Sequence, residues 1–467
     1  MSKEVKSAYY GSFFHAPVYG EFEYLEDALI EVDGDGVIVR VVTGDDPCKS
    51  DLLEAYRNRG MLVELGEGRF GLPGFVDIHV HAPQWPQAAL ALDEPLYLWL
   101  EQRTFPLESK FSDMEFARRV YGDLVDALLA RGSTTTVYLG SAHLESSIEL
   151  AAICAEKGQR ALVGKTVMDD PAANPEYYRD ASPAQAVGDT ATLIKEVEAI
   201  GRASKQGIWP VITPRFIPSC TDEVLRGLGD LAASTGAYVQ THCNEGQWEH
   251  DVVLERFGKT DPYVLRDFGL VNERTIMAHC PYVTEKEGEM FAELGVAIAH
   301  CPMANSYFSS AVAPVQRFRK QGIHVGLGTD ISGGYSPSMY ENIRQAVLVS
   351  RLLETGVNAM LPPDERGGLG EGTRVSIVES FWLATTGGAE ALGLPAGTFE
   401  PGRAFDMQVV DTKRPDCDLT GFGVFDAPID RLARILYLST PDNVRKVYAQ
   451  GRLVCDKDAR WHDEGAK

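Results

Sequence analysis

The run Pro73-Gly74-Phe75-Val76-Asp77-Ile78-His79-Val80-His81 closes a short apolar segment with two histidines. Successive side chains on a strand point to opposite faces, so His79 and His81 share one face. Two imidazoles at that spacing can reach a single metal ion. An isolated His-x-His is more often a pair of turn histidines with no shared task. The rest of the chain shifts that balance, because apolar segments ending in a metal-capable side chain recur at His242, His279, His300 and Asp330.

Several histidines with a carboxylate and an open position form the ligand set of a catalytic zinc or ferrous site. His79, His81, His242 and Asp330 are the expected ligands. His279 either completes the shell or hydrogen-bonds a coordinated water. Such an ion lowers the pKa of water from about 15.7 to about 7 and makes hydroxide available at neutral pH. Ligand type alone does not separate Zn2+ from Fe2+. In Thr241-His242-Cys243-Asn244-Glu245 a carboxylic acid follows a ligand on a strand-to-loop turn. There Glu245 could pass a proton from attacking water to a leaving group. Its competing reading is a solvated loop charge. Asp330 ends an apolar segment, where a carboxylate needs a partner, and a metal supplies one.

What could carry these residues to one place? Strand candidates run over 75–81, 133–139, 161–168, 209–215, 237–242, 275–280, 296–300 and 323–330. Helical periodicity fills the intervals, as in 114–131, 184–204, 223–234, 285–294 and 340–354. This alternation predicts an α/β fold, a (β/α)8 barrel over 73–394. His79, His81, Arg215, His242, His279, His300 and Asp330 then fall at strand C-terminal ends, the rim where such barrels hold their active sites. The flanking segments 1–72 and 395–467 carry short strands and turns and predict one composite small β domain. Its clearest hairpin surrounds Asp33-Gly34-Asp35-Gly36.

The chain has 467 residues, 44% hydrophobic and 24% charged, which suits a globular enzyme. A net charge of -23 argues against a phosphate-tracking surface, so a small molecule is expected rather than nucleic acid. No apolar run approaches the roughly 18 residues that a membrane span needs. The first residues show no secretory pattern, so the expected location is cytoplasmic. The scattered cysteines form no C-x-x-C and read as reduced thiols. Gly66-Glu67-Gly68-Arg69-Phe70-Gly71 matches a dinucleotide fingerprint by letter, but it leads into a strand instead of a helix. Neither a G-x-S-x-G elbow nor a P-loop is present.

The ligand pattern resembles the amidohydrolase superfamily across nearly the whole chain. Within it, the run from Pro73 through His81-Ala82-Pro83-Gln84-Trp85 is similar to the guanine deaminases. So are Thr104-Phe105-Pro106, Pro214-Arg215-Phe216, Thr241-His242-Cys243-Asn244-Glu245, His300-Cys301-Pro302 and Gly328-Thr329-Asp330-Ile331-Ser332-Gly333-Gly334. The resemblance implies hydrolysis of guanine to xanthine and ammonia, with His79, His81, His242, His279 and Asp330 around one zinc. It implies Glu245 as proton shuttle, and Gln84, Trp85, Arg215 and Phe216 around the purine. Core or rim packing competes for Trp85 and Phe216, and an internal salt bridge competes for Arg215. Binuclear members of the superfamily place a bridging lysine on the fourth strand. Ile212-Thr213-Pro214-Arg215-Phe216 has none, which argues for one metal. His300 gets no assigned role beyond support for a ligand. The resemblance also implies a homodimer. Another aminated heterocycle (an aminotriazine, a pterin or an oxidised purine) is the alternative substrate. A barrel without catalysis is the more distant alternative.

Overall fold

The computed structural model describes residues 4–44 and 46–459, so the end of the expected 395–467 segment lies outside the described residues. The chain begins with β1 (Val5–His15), β2 (Glu23–Asp33), β3 (Ile38–Val42), β4 (Leu62–Glu64) and β5 (Arg69–Pro73). The barrel strands follow: β6 (Phe75–His81), β7 (Ser133–Leu139), β8 (Arg160–Gly164), β9 (Thr166–Val167) and β10 (Ile208–Pro214). They continue with β11 (Tyr238–Cys243), β12 (Thr275–His279), β13 (Ala297–His300) and β14 (His324–Leu327). The chain returns to the first sheet with β15 (Met407–Asp411), β16 (Val444–Ala449) and β17 (Arg452–Asp456).

The first sheet has the order β17-β16-β15-β5-β1-β2-β3, with β4 beside β1. The antiparallel pairing of β15 with β5, Met407 opposite Pro73, joins the two ends of the chain. The β2–β3 hairpin forms as the sequence predicts. Asp33 accepts the amides of Asp35 at 2.8 Å and Val37 at 3.0 Å, which closes its turn. Gly36 sits there at φ +76°, and a Cβ would lie 2.0 Å from the Gln450 carbonyl oxygen, so only glycine fits.

The second sheet is parallel, in the order β14-β13-β12-β11-β10-β8-β7-β6, with β9 beside β10. Its seam is closed by the segment after β14: Asp330 N–H donates to His79 O at 2.8 Å and His81 N–H to Ile331 O at 2.9 Å. This closed parallel sheet with helices between its strands is the expected (β/α)8 barrel. Val76, Ile78, Val137, Leu162, Val211, Ile276 and Ala297 form one buried apolar cluster drawn from its strands. The helices start at side-chain caps. Asp113 caps Met114–Leu129, Ser182 caps Pro183–Ala203, Thr221 caps Asp222–Thr235, and Thr284 forms a capping box with Glu287. No helix among the described residues is long and apolar enough to cross a membrane.

Three strand ends differ from the sequence reading. The third strand breaks at Lys165, whose ammonium is buried and bonded to Asp180 at 2.5 Å. The fourth ends at Pro214, which leaves Arg215 just beyond it. The eighth ends at Leu327, so Asp330 sits on the turn after the strand, at φ +50°.

Candidate active site

The rim of the barrel gathers His79, His81, His242 and Asp330, with one nitrogen or carboxylate oxygen of each lying within 4.8 Å of all the others. All are buried. The His81 and His242 Nε2 atoms are 2.9 Å apart. Asp330 Oδ1 lies 3.3 Å from His79 Nε2 and 3.4 Å from His81 Nε2. A tetrahedral ion with metal–nitrogen bonds of about 2.0–2.1 Å holds its ligand atoms about 3.3 Å apart. The two spacings from Asp330 match that geometry, and the His81–His242 spacing is shorter. The donor chemistry matches too. Burial and neighbouring imidazoles hold His79, His81 and His242 well below the usual histidine range, so they are neutral and have lone pairs to give. His79 Nε2 is buried with no hydrogen-bond partner in the protein, as a nitrogen aimed at a cation should be.

Neighbouring groups set the ring orientations. His242 Nδ1 donates to the Arg215 carbonyl at 2.5 Å, which turns the bare Nε2 toward the cluster. Asp330 is held by its predecessor. Thr329 donates its N–H to Asp77 Oδ1 at 2.9 Å and its hydroxyl to Asp77 Oδ2 at 2.6 Å. Burial pushes the Asp77 carboxyl up to about 7. Replacing Asp77 by alanine leaves both Thr329 donors buried and unpaired. The expected result is a loss of roughly 2–4 kcal/mol, read by denaturant unfolding, with loosened metal binding because Asp330 loses its anchor.

A second triad, Glu245, His279 and Asp330, adjoins the first. His279 Nε2 is 3.7 Å from Glu245 Oε2 and 3.9 Å from Asp330 Oδ2, and it too lacks a partner. Its Nδ1 faces Asn305 Oδ1 at 3.1 Å. Burial, then the charge of Asp330, lifts the Glu245 carboxyl well above the carboxylate range, while burial lifts Asp330 to about 6. The Glu245 backbone N–H donates to Glu249 Oε2 at 2.7 Å, which pins the turn carrying the acid. Asn244, His279 and Asp330 adopt positive φ at these strand ends, strained conformations of the kind that collect at working sites.

A cavity with about 470 Å³ of empty space opens over these groups. Its apolar wall is Leu96, Trp99, Leu100, Phe216, Trp248 and Phe308, and its polar wall includes Gln84, Arg215, Glu245 and Glu249. An apolar wall with a few converging polar groups suits a small flat ligand. Arg215 forms the internal salt bridge that competed for it in the sequence, to Glu108 at 2.8 Å, and it lines the cavity as well.

The structure separates Trp85 from the cavity. Its indole N–H donates to Asp123 at 2.7 Å, and the ring packs beside a core cluster that includes Tyr121 and Val125. The reason is local. Residues Ala82–Gln87 form a 3-10 helix, where neighbours point about 120° apart, so Gln84 and Trp85 cannot both face inward. His300 is buried near His279 with Nδ1 unpartnered, outside the metal-capable groups found among the described residues. Sequence reasoning passed over Asp77, Glu108, Glu249, Asn305, Trp99 and Phe308.

The amidohydrolase family model matches residues 70–454 of this sequence. This chain belongs to the amidohydrolase family. It is 35% identical to the guanine deaminase of Dictyostelium discoideum over 458 residues, 95% of this chain and 97% of that protein. It is 34% identical to the guanine deaminase of Homo sapiens over 452 residues, 95% of each chain. Among solved structures it superposes on the guanine deaminase of C. acetobutylicum, which has guanine bound in its active site. That match has a TM-score of 0.83 and 29% identity, and it covers 96% of this chain and 99% of the other. Kinship with this family accounts for the fold: the barrel and the composite sheet are the architecture that the motifs implied.

Proposed function

We propose that this protein hydrolyses guanine to xanthine and ammonia at one divalent metal, zinc. The observation that carries the reading is the position of Glu245: a buried acid beside a His/His/His/Asp group, under a cavity walled by Phe216, Gln84 and Arg215, in a relative of guanine deaminases. His79, His81, His242 and Asp330 would hold the ion, with His279 at its edge. A bound divalent cation would supply hydroxide at neutral pH.

The chain's own residues supply the rest. Phe216 offers an apolar face to the flat ring. Gln84 and Arg215 offer directed hydrogen bonds to its edge. Burial disfavours the charge on Glu245 and lifts its carboxyl well above the carboxylate range, which suits it to carry a proton. It gives that proton to the ring nitrogen beside the amine-bearing carbon. Asp330 takes the proton that attacking water releases and returns it to the amine, which leaves as ammonia, and Glu245 regains its proton from the hydroxyl of the tetrahedral carbon as the carbonyl forms. His279 Nε2 steadies the oxygen of the tetrahedral carbon. In the whole chain, 73–394 is the catalytic barrel, and 1–72 with 395–467 is the supporting β unit. The protein works as a cytoplasmic homodimer.

The test is direct. The purified metal-loaded protein is mixed with guanine, and xanthine and ammonia are followed together. Equimolar release of both is expected. No conversion by protein with its full metal content would overturn the reading.

A further inference from the structure

Glu108 lies outside every motif that drew attention to the site, yet it organises the polar wall of the cavity. Its carboxylate accepts from Arg215 Nη1 at 2.8 Å and Nη2 at 3.3 Å, a two-point contact. Both side chains are buried, Arg215 with 3% and Glu108 with 1% of its surface exposed. The same carboxylate accepts from Gln84 Nε2 at 3.0 Å. At the other end of that amide, Gln84 Oε1 accepts the Ser332 N–H at 3.3 Å. A carboxylate only accepts, so Glu108 fixes which end of the Gln84 amide points where. The Phe105 ring, 5.3 Å from the guanidinium, covers the pair from one side.

An arginine alone in a buried cavity is an anion receptor, because its planar fork binds carboxylates and phosphates at two points. Here that fork is already filled by an internal carboxylate. A second anion at the same wall would meet Glu108 across a dry, weakly screening interior. At this part of the wall a neutral ring with acceptor atoms meets the remaining Arg215 donors and a Gln84 amide of fixed sense.

We infer that Glu108 is a positioning residue that sets the charge preference of this pocket: by cancelling Arg215 and orienting Gln84, it selects an uncharged heterocycle and rejects an anionic one. This rests on the guanine-deaminating reading above. It also gives the reaction a direction. A product with an additional ring carbonyl loses a ring proton more readily than the substrate, and its anion is expelled by the same carboxylate.

The experiment compares metal-loaded wild type with Glu108→Gln and Glu108→Asp, using guanine as substrate and urate as an anionic purine probe. In Glu108→Gln the KM for guanine is expected to rise by about tenfold or more, the scale of a lost charge-assisted contact, with a smaller change in kcat. Inhibition by urate should tighten by a similar factor. Glu108→Asp keeps the charge and should keep urate inhibition at the wild-type level. A purely structural role would weaken both ligands together and lower thermal stability, and that result overturns the inference. So does a folded Glu108→Gln with unchanged KM and unchanged urate inhibition. If Glu108→Gln does not fold, the wild type decides: its inhibition by xanthine should weaken as pH rises through the ionisation of xanthine. Strengthening inhibition would refute the inference. Failure of the functional reading is distinguishable, because wild type would then leave guanine unconverted whatever it does with charged purines.

Discussion

Glu245→Gln is expected to keep its full metal content and to turn over guanine about 10²–10⁴-fold more slowly, the contribution of a placed general acid–base. Glutamine has nearly the same shape, and the backbone N–H that Glu249 accepts is untouched, so the turn stays where it is. Steady-state rates and elemental analysis of the same sample check both halves. The substitution has a signature in stability as well. The buried Glu245 carboxyl is lifted well above its ordinary range. The folded state therefore holds this proton at pH values where the unfolded chain has released it. Stability from this group falls as pH rises past the ordinary glutamate range, near 4.3, toward the raised folded value. Glutamine does not titrate, so urea unfolding of the metal-free variant should lack that component of the pH slope.

The second large effect follows from removing a ligand. His242→Ala is expected to lose the bound ion and, with it, on the order of 10³-fold or more in turnover, several kcal/mol of charge stabilisation. Added imidazole should restore part of both, because the vacated position is shaped for that ring. His242 is chosen because its Nδ1 bond to the carbonyl of Arg215, just beyond the fourth barrel strand, ties it to the ligand-binding wall. Treating wild type with a chelator should abolish activity, and returned zinc should restore it. A variant that kept both metal and rate would remove His242 from the site.

The sequence disclosed the parts of this site that obey short-range rules. Alternation along a strand put His79 and His81 on one face, and β/α alternation brought His242, His279 and Asp330 to the same rim. The parts it withheld depend on contacts between distant segments. Glu108 lies in the connection after β6, and strand and helix periodicity do not register that its carboxylate returns to Arg215. The Thr104-Phe105-Pro106 motif just before it was the available signal. Asp77 stood inside the motif itself, but its partner is Thr329, at the far side of the barrel seam. Trp85 was expected at the ligand because the resemblance carried Gln84 and Trp85 over together, and in the 3-10 helix after β6 neighbouring side chains point apart. Lys165 interrupts the third strand because its buried ammonium turns to reach Asp180, a pairing that strand periodicity does not register.

The central claim is that His79, His81, His242 and Asp330 close around one cation. Anomalous diffraction at the zinc edge from crystals of the metal-loaded protein tests it most directly. One strong peak is predicted within about 2.0–2.2 Å of the three Nε2 atoms and a carboxylate oxygen of Asp330. Two peaks at that rim, or none there in protein that deaminates guanine, would contradict it.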